Sequence, residues 1–212
     1  GLNMPSWNDL LNELKEAKKV HDNIRRRYLQ ELHEITGRNV IIYYSGWLQK
    51  EDIANVNPSL FSINDSDKIG FMTTIHKLDR SKGLDLILHT PGGGMAATES
   101  IVFYLRKMFG TDIRAIVPEI AMSAGTMIAC SCKEILMGKQ SSLGPIDPQL
   151  NGLAAHGIIE EFKTAKEECT NNQVCIPLWQ PISAKYDPTL IKKKKKAIDW
   201  SIEMVKEWLI TG

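Results

Sequence analysis

The pattern of apolar and polar positions divides most of the chain into alternating strand-like and helix-like segments. Short runs rich in β-branched and aliphatic residues predict strands at 39–45, 84–89, 113–117 and 134–137, with an extended segment at 143–149. Apolar residues that recur every three or four positions predict helices at 65–80, 96–109, 123–130, 155–169 and 188–209. The alternation over 84–137 favours an α/β domain with a largely parallel sheet, whereas 46–65 shows little pattern and is predicted to be a loop.

The longest periodic segment lies near the start of the chain. Apolar residues from Trp7 to Leu32 recur at helical spacing, and Gly37 follows at a position typical of a helix C-terminus, so we predict a helix over 6–36. We therefore divide the chain into an N-terminal helical arm, 1–37, and one domain, 38–212. The apolar stripe of the arm has to be covered. Its own domain and a second subunit are both candidates for covering it.

Composition excludes several classes of function. The 212 residues are 43% hydrophobic and 24% charged, as in ordinary globular proteins, and the net charge of +1 gives no reason to expect nucleic acid as a partner. No apolar run approaches the roughly 20 residues that a transmembrane helix needs. The polar N-terminal residues do not resemble a signal peptide, so we expect a cytoplasmic protein.

Two local features could carry chemistry but have simpler interpretations. The four cysteines include Cys130 and Cys132, whose spacing is not that of a zinc or thioredoxin motif, so we expect free thiols in a reducing compartment. The five lysines Lys192–Lys196 fall inside a helical pattern. We expect them to form a solvated face, with binding to an anionic surface as the alternative.

The most informative stretch runs from Leu84 to Ser123. The predicted strand 84–89 is followed by Thr90, Pro91 and three glycines, where no side chain shields the backbone amides from a ligand. Ser123 is the first residue of the predicted helix 123–130, and at a helix N-terminus unpaired amides and the helix dipole favour negative charge. A hydroxyl facing two sets of amides is what acyl transfer requires, namely a nucleophile and an oxyanion hole. A simple N-cap serine is the competing interpretation of Ser123.

Four motifs in this order carry a resemblance to a known family: Thr90–Gly93, Ala96–Ile101, Ala121–Thr126 and Ser142–Gln149. The chain resembles the serine dehydrogenase proteinase family, which is grouped with the Clp proteases and signal peptide peptidase A in the crotonase-like superfamily. The resemblance extends from about Asn39 to Trp208 and is densest between 84 and 150. It implies a core of repeated β-β-α units with a mostly parallel sheet, preceded here by the long N-terminal helix. No dinucleotide-binding glycine motif accompanies it.

Carried over position by position, the resemblance assigns the catalytic roles. Ser123 would be the nucleophile, and the amides of Gly93 and Ala124 would form the oxyanion hole. Gly94 is an additional glycine that could share or take the role of Gly93.

The general base is less certain because the histidine that follows the serine in Clp proteases is absent, and Asp147 lies at roughly its place. His156 lies near the start of the following helix, where one related subgroup carries a lysine, so we rank it first. Lys163 and Lys166 on the same helix come next. Asp147 would orient the base or only end a turn. His89, next to the glycines, and a residue on another subunit or beyond residue 212 are further alternatives.

We therefore expect a serine peptidase that acts on polypeptides and needs neither a metal nor an organic cofactor. The resemblance further implies a homo-oligomer. A crotonase-like enzyme acting on acyl-CoA thioesters would use the same amides but does not account for Ser123. A non-catalytic scaffold of the same fold is the other alternative, because the Clp-type histidine is missing.

Overall fold

The computed structural model describes residues 21–150, 153–186 and 188–212. Its strands, in chain order, are β1 (Asn39–Tyr44), β2 (Leu84–His89), β3 (Ile113–Val117), β4 (Ile120–Ala121), β5 (Glu134–Met137), β6 (Ser142–Leu143), β7 (Gln149–Leu150) and β8 (Leu153–Ala154). The α-helices are α1 (His21–Thr36), α2 (Glu51–Val56), α3 (Asp65–Ile75), α4 (Met95–Phe109), α5 (Ala124–Cys130), α6 (Ala155–Asn171), α7 (Ile176–Ser183) and α8 (Pro188–Thr211). Short 3-10 helices occupy Pro58–Phe61, Arg80–Lys82 and Gln173–Cys175.

A four-stranded parallel sheet lies at the centre, in the order β1-β2-β3-β5. The central strand β2 is buried along nearly its whole length, as expected when helices cover both faces of a parallel sheet. Parallel neighbours need crossover connections, and α3, α4 and α5 supply them. The predicted α/β class with a mostly parallel sheet is confirmed.

A second, shorter layer of strands follows the main sheet. β4 pairs in parallel with β6, Thr90 bridges to Ala121, and Ile63 bridges to Gly93. The chain thus runs from β2 through 90–93 into α4, and from β3 through β4 into α5. Each unit is a long strand, a short second-layer segment and a helix, which is the β-β-α repeat that the resemblance implied.

The helices close the core on the faces that their sequence periodicity indicates. In α4, Ile101 and Leu105 are fully buried, and Tyr104 and Met108 pack against the same core. Met204 and Trp208 of α8 are also buried in that core. α8 packs on α5, so the last long helix lies directly against the helix that begins after Ser123.

Three expectations need correction. The segment 46–65 is not a plain loop, because it contains α2 and a 3-10 helix. The predicted helix 65–80 ends at Ile75, and its buried residues are Phe71 and Ile75, whereas Ile69 and Met72 are exposed. The cause is tertiary packing, because the ring of Phe71 stacks on Tyr43 of β1 at 5.8 Å.

The predicted N-terminal helix is described only from His21, where α1 begins, to Thr36. Positions 6–20 of that prediction lie outside the described residues, and the division at residue 37 stays a prediction. The solvated face predicted at 192–196 holds for four of the five lysines. Lys194 is the exception, because its side chain is fully buried.

A buried ion-pair network fixes the end of the sheet opposite the glycines. Asp85 is 0% exposed and accepts hydrogen bonds from Arg38 Nε and Arg114 Nη2, both at 2.7 Å. Burial alone would raise the pKa of Asp85, but the hydrogen bonds from Arg114 and Arg38 outweigh it and lower the pKa below its usual value. The network ties β1, β2 and β3 together.

Candidate active site

The glycine loop, residues 90–94, leaves the carboxyl end of β2. Thr90 is completely buried and anchors the loop twice: its carbonyl accepts the N–H of Met122 at 3.0 Å, and its Oγ1 accepts the N–H of Gly92 at 3.1 Å. Gly92 has φ +102°, a conformation that residues with a Cβ rarely adopt. The loop is therefore held against the segment that leads to Ser123.

Ser123 occupies a sharp turn between β4 and α5. Its backbone has φ +50° and ψ −114°, and among the described residues no other non-glycine has a positive φ. Strain of this kind persists only where the surroundings enforce it, and such positions cluster at functional sites. A serine on a strained strand-to-helix turn is also how unrelated hydrolases expose a nucleophilic hydroxyl.

The glycine loop and Ser123 are in direct contact. A Cβ on Gly92 would lie 2.8 Å from the Cβ of Ser123 and 3.1 Å from the backbone nitrogen of Ala124. Any side chain at position 92 would therefore collide with the turn. The start of α5 and the glycine loop share one small space, which is the juxtaposition that an acyl-transfer site needs.

The hydrogen bonds of the loop distinguish the two candidate glycine donors. Gly94 donates its N–H to the carbonyl of Ile63 at 2.9 Å, and Ile63 donates to the carbonyl of Gly92 at 2.8 Å. In a parallel bridge of this form, the N–H of the intervening residue, Gly93, is directed away from Ile63. This favours Gly93 over Gly94 as a donor to a ligand. Ala124 adds the first amide of α5, which has no partner within its own helix.

The candidate base residues do not yet form a complete triad. His156 is exposed in the first turn of α6, and its backbone N–H donates to Asp147 Oδ1 at 3.1 Å. Lys163 and Lys166 are exposed further along α6. Among the described residues, none of these side chains hydrogen-bonds the Ser123 hydroxyl. The segment that carries Asp147 does contact Ser123: the carbonyl of Pro145, two residues before Asp147, accepts the N–H of Ser123 at 3.2 Å.

His89 is engaged elsewhere. Its Nδ1 lies 3.0 Å from the carbonyl oxygen of Ser45, and its Nε2 lies 3.1 Å from Glu119 Oε2. The ring also stacks on Tyr44, with centroids 4.7 Å apart. With both ring nitrogens in these contacts, His89 supports the end of β2 and is a poor candidate for the base.

A cleft of about 450 Å³ opens beside the glycine loop. Its walls come from the 63–65 segment, the loop, the start of α4, the 148 region and α8, and they include Ile63, Gly94, Met95, Pro148, Ala197 and Trp200. Nothing in the sequence indicates that α8 reaches this cleft. Ala197 and Trp200 have helical spacing in the sequence, but the sequence does not indicate which part of the protein they face.

The four cysteines are buried or half-buried. All four cysteines are free, and burial raises the pKa of Cys132 to about 12, so that thiol is not an activated nucleophile. Within residues 21–150, 153–186 and 188–212, no cluster of three or more His, Cys, Asp or Glu side chains could hold a metal ion. None of the helices in these ranges combines the length and apolar character that crossing a bilayer requires.

Comparison with known proteins shows the family to which the chain belongs. Residues 10–185 match the family described as ClpP-like SDH-type serine proteinase. The chain belongs to this family.

The individual relatives are distant or uncharacterized. The uncharacterized protein MJ1495 of Methanocaldococcus jannaschii is 32% identical over 148 residues, which is 70% of this chain and 45% of that protein. MJ0137 of the same organism is 36% identical over 115 residues, 54% of this chain and 39% of that protein. The chain thus spans less than half the length of these curated relatives. The ClpP protease catalytic domain from Plasmodium falciparum has a TM-score of 0.38 and 12% identity, covering 57% of this chain and 63% of that chain.

Proposed function

We propose that this protein is a serine peptidase in which Ser123 attacks the carbonyl carbon of a peptide bond. The amides of Gly93 and Ala124 would donate hydrogen bonds to the oxygen that becomes negatively charged in the tetrahedral intermediate. The observation that carries the proposal is the strained backbone of Ser123 lying directly against Gly92. Membership of a serine proteinase family supports it.

The serine hydroxyl needs a base to take its proton. We propose His156 for this role, with Asp147 beside it and Lys163 as the alternative on the same helix. The support is positional: the 145–147 segment hydrogen-bonds the backbone of Ser123, and Asp147 accepts the N–H of His156. Histidine is the side chain that most often serves as a general base. Side-chain movement in the substrate complex would then complete the hydrogen bond, since apo geometry is often open.

The proposed substrate is an extended polypeptide. The cleft beside the glycine loop is lined mainly by apolar and small residues, and Gly94 lies at its edge, so a side chain next to the scissile bond could enter it. We also propose that the protein acts as a homo-oligomer, which in ClpP-like proteins would restrict the site to unfolded chains. Membership of the family supports both proposals, and the cleft supports the first.

The test compares Ser123→Ala with Ser131→Ala in the same full chain. Ser131 lies at the end of α5 and its hydroxyl donates to the carbonyl of Ile128, away from the glycine loop. Hydrolysis of an unfolded protein and of fluorogenic peptides should be lost in Ser123→Ala and retained in Ser131→Ala. Equal activity of both variants would overturn the proposal, and an inert wild-type protein would favour the non-catalytic scaffold.

A further inference from the structure

Two side chains that the proposed mechanism does not use face each other just before the glycine loop and Ser123. His89 is the last residue of β2 and is followed by Thr90, where the glycine loop begins. Glu119 lies between β3 and β4, on the segment that leads to Ser123. The Nε2 atom of His89 and the Oε2 atom of Glu119 are 3.1 Å apart. This contact joins the segment that carries the oxyanion-hole glycine to the segment that carries the nucleophile.

The contact lies where the backbone leaves the two segments unjoined. The ladder between β2 and β3 ends at Ile87 and Ile116, and the next backbone bridge between these segments joins Thr90 to Ala121. The interval holds residues 88–89 on one side and the longer stretch 117–120 on the other. Because the two sides differ in length, backbone pairing does not fix their spacing there. The side chains at positions 89 and 119 connect them across this interval.

The ring of His89 is held in one orientation by its surroundings. His89 is 4% exposed, and its ring centroid lies 4.7 Å from that of Tyr44 and 4.5 Å from that of Trp47. Its Nδ1 atom lies 3.0 Å from the carbonyl oxygen of Ser45. A ring packed on two aromatic side chains and hydrogen-bonded at Nδ1 cannot turn freely. The fold therefore sets the direction in which Nε2 meets Glu119.

Glu119 also connects to the segment that approaches Ser123 from the other side. The carbonyl of Glu119 accepts the N–H of Ser142, the first residue of β6, at 2.8 Å. The chain then continues to Pro145, whose carbonyl accepts the N–H of Ser123 at 3.2 Å. A displacement of Glu119 would therefore reach Ser123 through two segments.

We propose that His89 and Glu119 are positioning residues, whose contact fixes the spacing between the glycine loop and Ser123. The inference rests on the proposed serine peptidase function. Oxyanion-hole amides stabilise the intermediate only when they lie within hydrogen-bond distance of the oxygen that becomes charged. Ser123 determines where that oxygen lies, and the glycine loop carries Gly93, one of the two donors. A small change in their spacing therefore slows the chemical step.

The exposure of Glu119 separates this role from a role in overall stability. Its side chain is 59% exposed, and exposed ion pairs contribute little to the free energy of unfolding. Removing the carboxylate should therefore leave stability nearly unchanged while loosening the contact. A purely structural residue would show the opposite pattern.

The experiment compares Glu119→Ala with Glu134→Ala in the full chain. Glu134 is an exposed glutamate at the opposite end of the same sheet and serves as the matched control. Peptide hydrolysis is measured as kcat and KM, and folding as the thermal midpoint. We expect Glu119→Ala to lower kcat by about threefold to tenfold, the range that corresponds to one lost hydrogen bond, with KM and the thermal midpoint unchanged. Glu134→Ala should match the wild type in all three measurements.

Two further variants show whether the contact itself is responsible. Glu119→Gln keeps the length and the hydrogen-bonding head group, so it should retain most of the wild-type kcat. His89→Phe keeps a ring between Tyr44 and Trp47 but has no ring nitrogen, so it should lower kcat. If the two residues act through one contact, His89→Phe combined with Glu119→Ala should be no slower than His89→Phe alone. Should His89→Phe not fold, the comparison of Glu119→Ala with Glu119→Gln decides the inference.

Four results would overturn the inference. They are an unchanged kcat in Glu119→Ala, a loss of activity in Glu119→Ala that accompanies a lower thermal midpoint, a Glu119→Gln variant as slow as Glu119→Ala, and additive losses in the double variant.

The outcomes separate this inference from the function on which it rests. Hydrolysis by the wild type that is lost in Ser123→Ala supports the peptidase, and an unaffected Glu119→Ala then removes only the positioning role. An inert wild type, or activity retained in Ser123→Ala, overturns both.

Discussion

The strained backbone at Ser123 leads to a stability prediction that does not depend on any substrate. With φ +50° and ψ −114°, a residue that carries a Cβ is strained by about 1–3 kcal/mol. Glycine removes that strain but loses about 0.5–1 kcal/mol through the greater freedom of the unfolded chain. The Ser123→Gly variant should therefore be more stable than Ser123→Ala by about 0.5–2 kcal/mol. Alanine is the proper reference because both variants lack the hydroxyl.

Ser131 provides the matched control. It lies at the other end of α5 with φ −81° and ψ −10°, an ordinary helical conformation. At this position glycine should be less stable than alanine by about 0.5–1 kcal/mol. The preference for glycine should thus reverse between the two ends of the same helix.

Urea unfolding followed by circular dichroism gives the free energy of unfolding of all four variants. If Ser123→Gly is less stable than Ser123→Ala, as expected at Ser131, the turn carries no backbone strain. The observation on which the proposed nucleophile depends would then be lost.

Three other predictions follow from distances and charges in the structure. A Cβ on Gly93 would collide with the backbone of Ile63, so Gly93→Ala should displace the loop and lower kcat by about 10²–10³-fold. A Cβ on Gly94 would have its nearest contact at 3.6 Å, so Gly94→Ala should lower kcat only a few-fold in the same peptide assay. Ala197→Trp should fill the cleft and lower kcat/KM for peptides by about tenfold or more. The kcat/KM for a small ester substrate should be unchanged, and steady-state kinetics on both substrates would show the difference. Asp85→Asn should destabilise the fold by about 3–5 kcal/mol at neutral pH in urea unfolding, because it leaves two arginines without their buried partner. Folding lowers the pKa of Asp85, so its stabilising contribution is present above the unfolded pKa of about 3.9 and is lost as the pH falls through the folded pKa. The difference in unfolding free energy between Asp85→Asn and the wild type should therefore shrink in acid. A difference that stays constant with pH would contradict the assignment.

The sequence predicted the elements whose apolar period is strong. β2, β3 and α4 appear where the apolar pattern placed them, because their buried faces dominate their local composition. β5 also appears as predicted, although its residues are mostly exposed. α3 shows where this reasoning fails. Its sequence offers apolar residues on two faces, and the stacking of Phe71 on Tyr43, a contact between segments distant in sequence, selects the buried one.

The candidate site could be predicted only as far as its backbone. Glycines after a strand and a serine before a helix indicate where amides lie unpaired, and the structure places the two segments in contact. The base depends on side-chain positions contributed by several elements, and no local pattern reports them. The lysine run 192–196 shows the same limit outside the site, because five identical residues in a row give no indication that Lys194 is the one that the helix turns inward.

The most direct test of the nucleophile is covalent labelling of the folded full chain with a fluorophosphonate, followed by peptide mass spectrometry. We expect one adduct per chain, on Ser123, which disappears when the protein is unfolded before labelling. The reaction should be much slower in Gly93→Ala, because the displaced loop would no longer stabilise the developing charge on the phosphonate oxygen. An adduct on another residue, or no reaction at Ser123 in a protein that hydrolyses peptides, would contradict it.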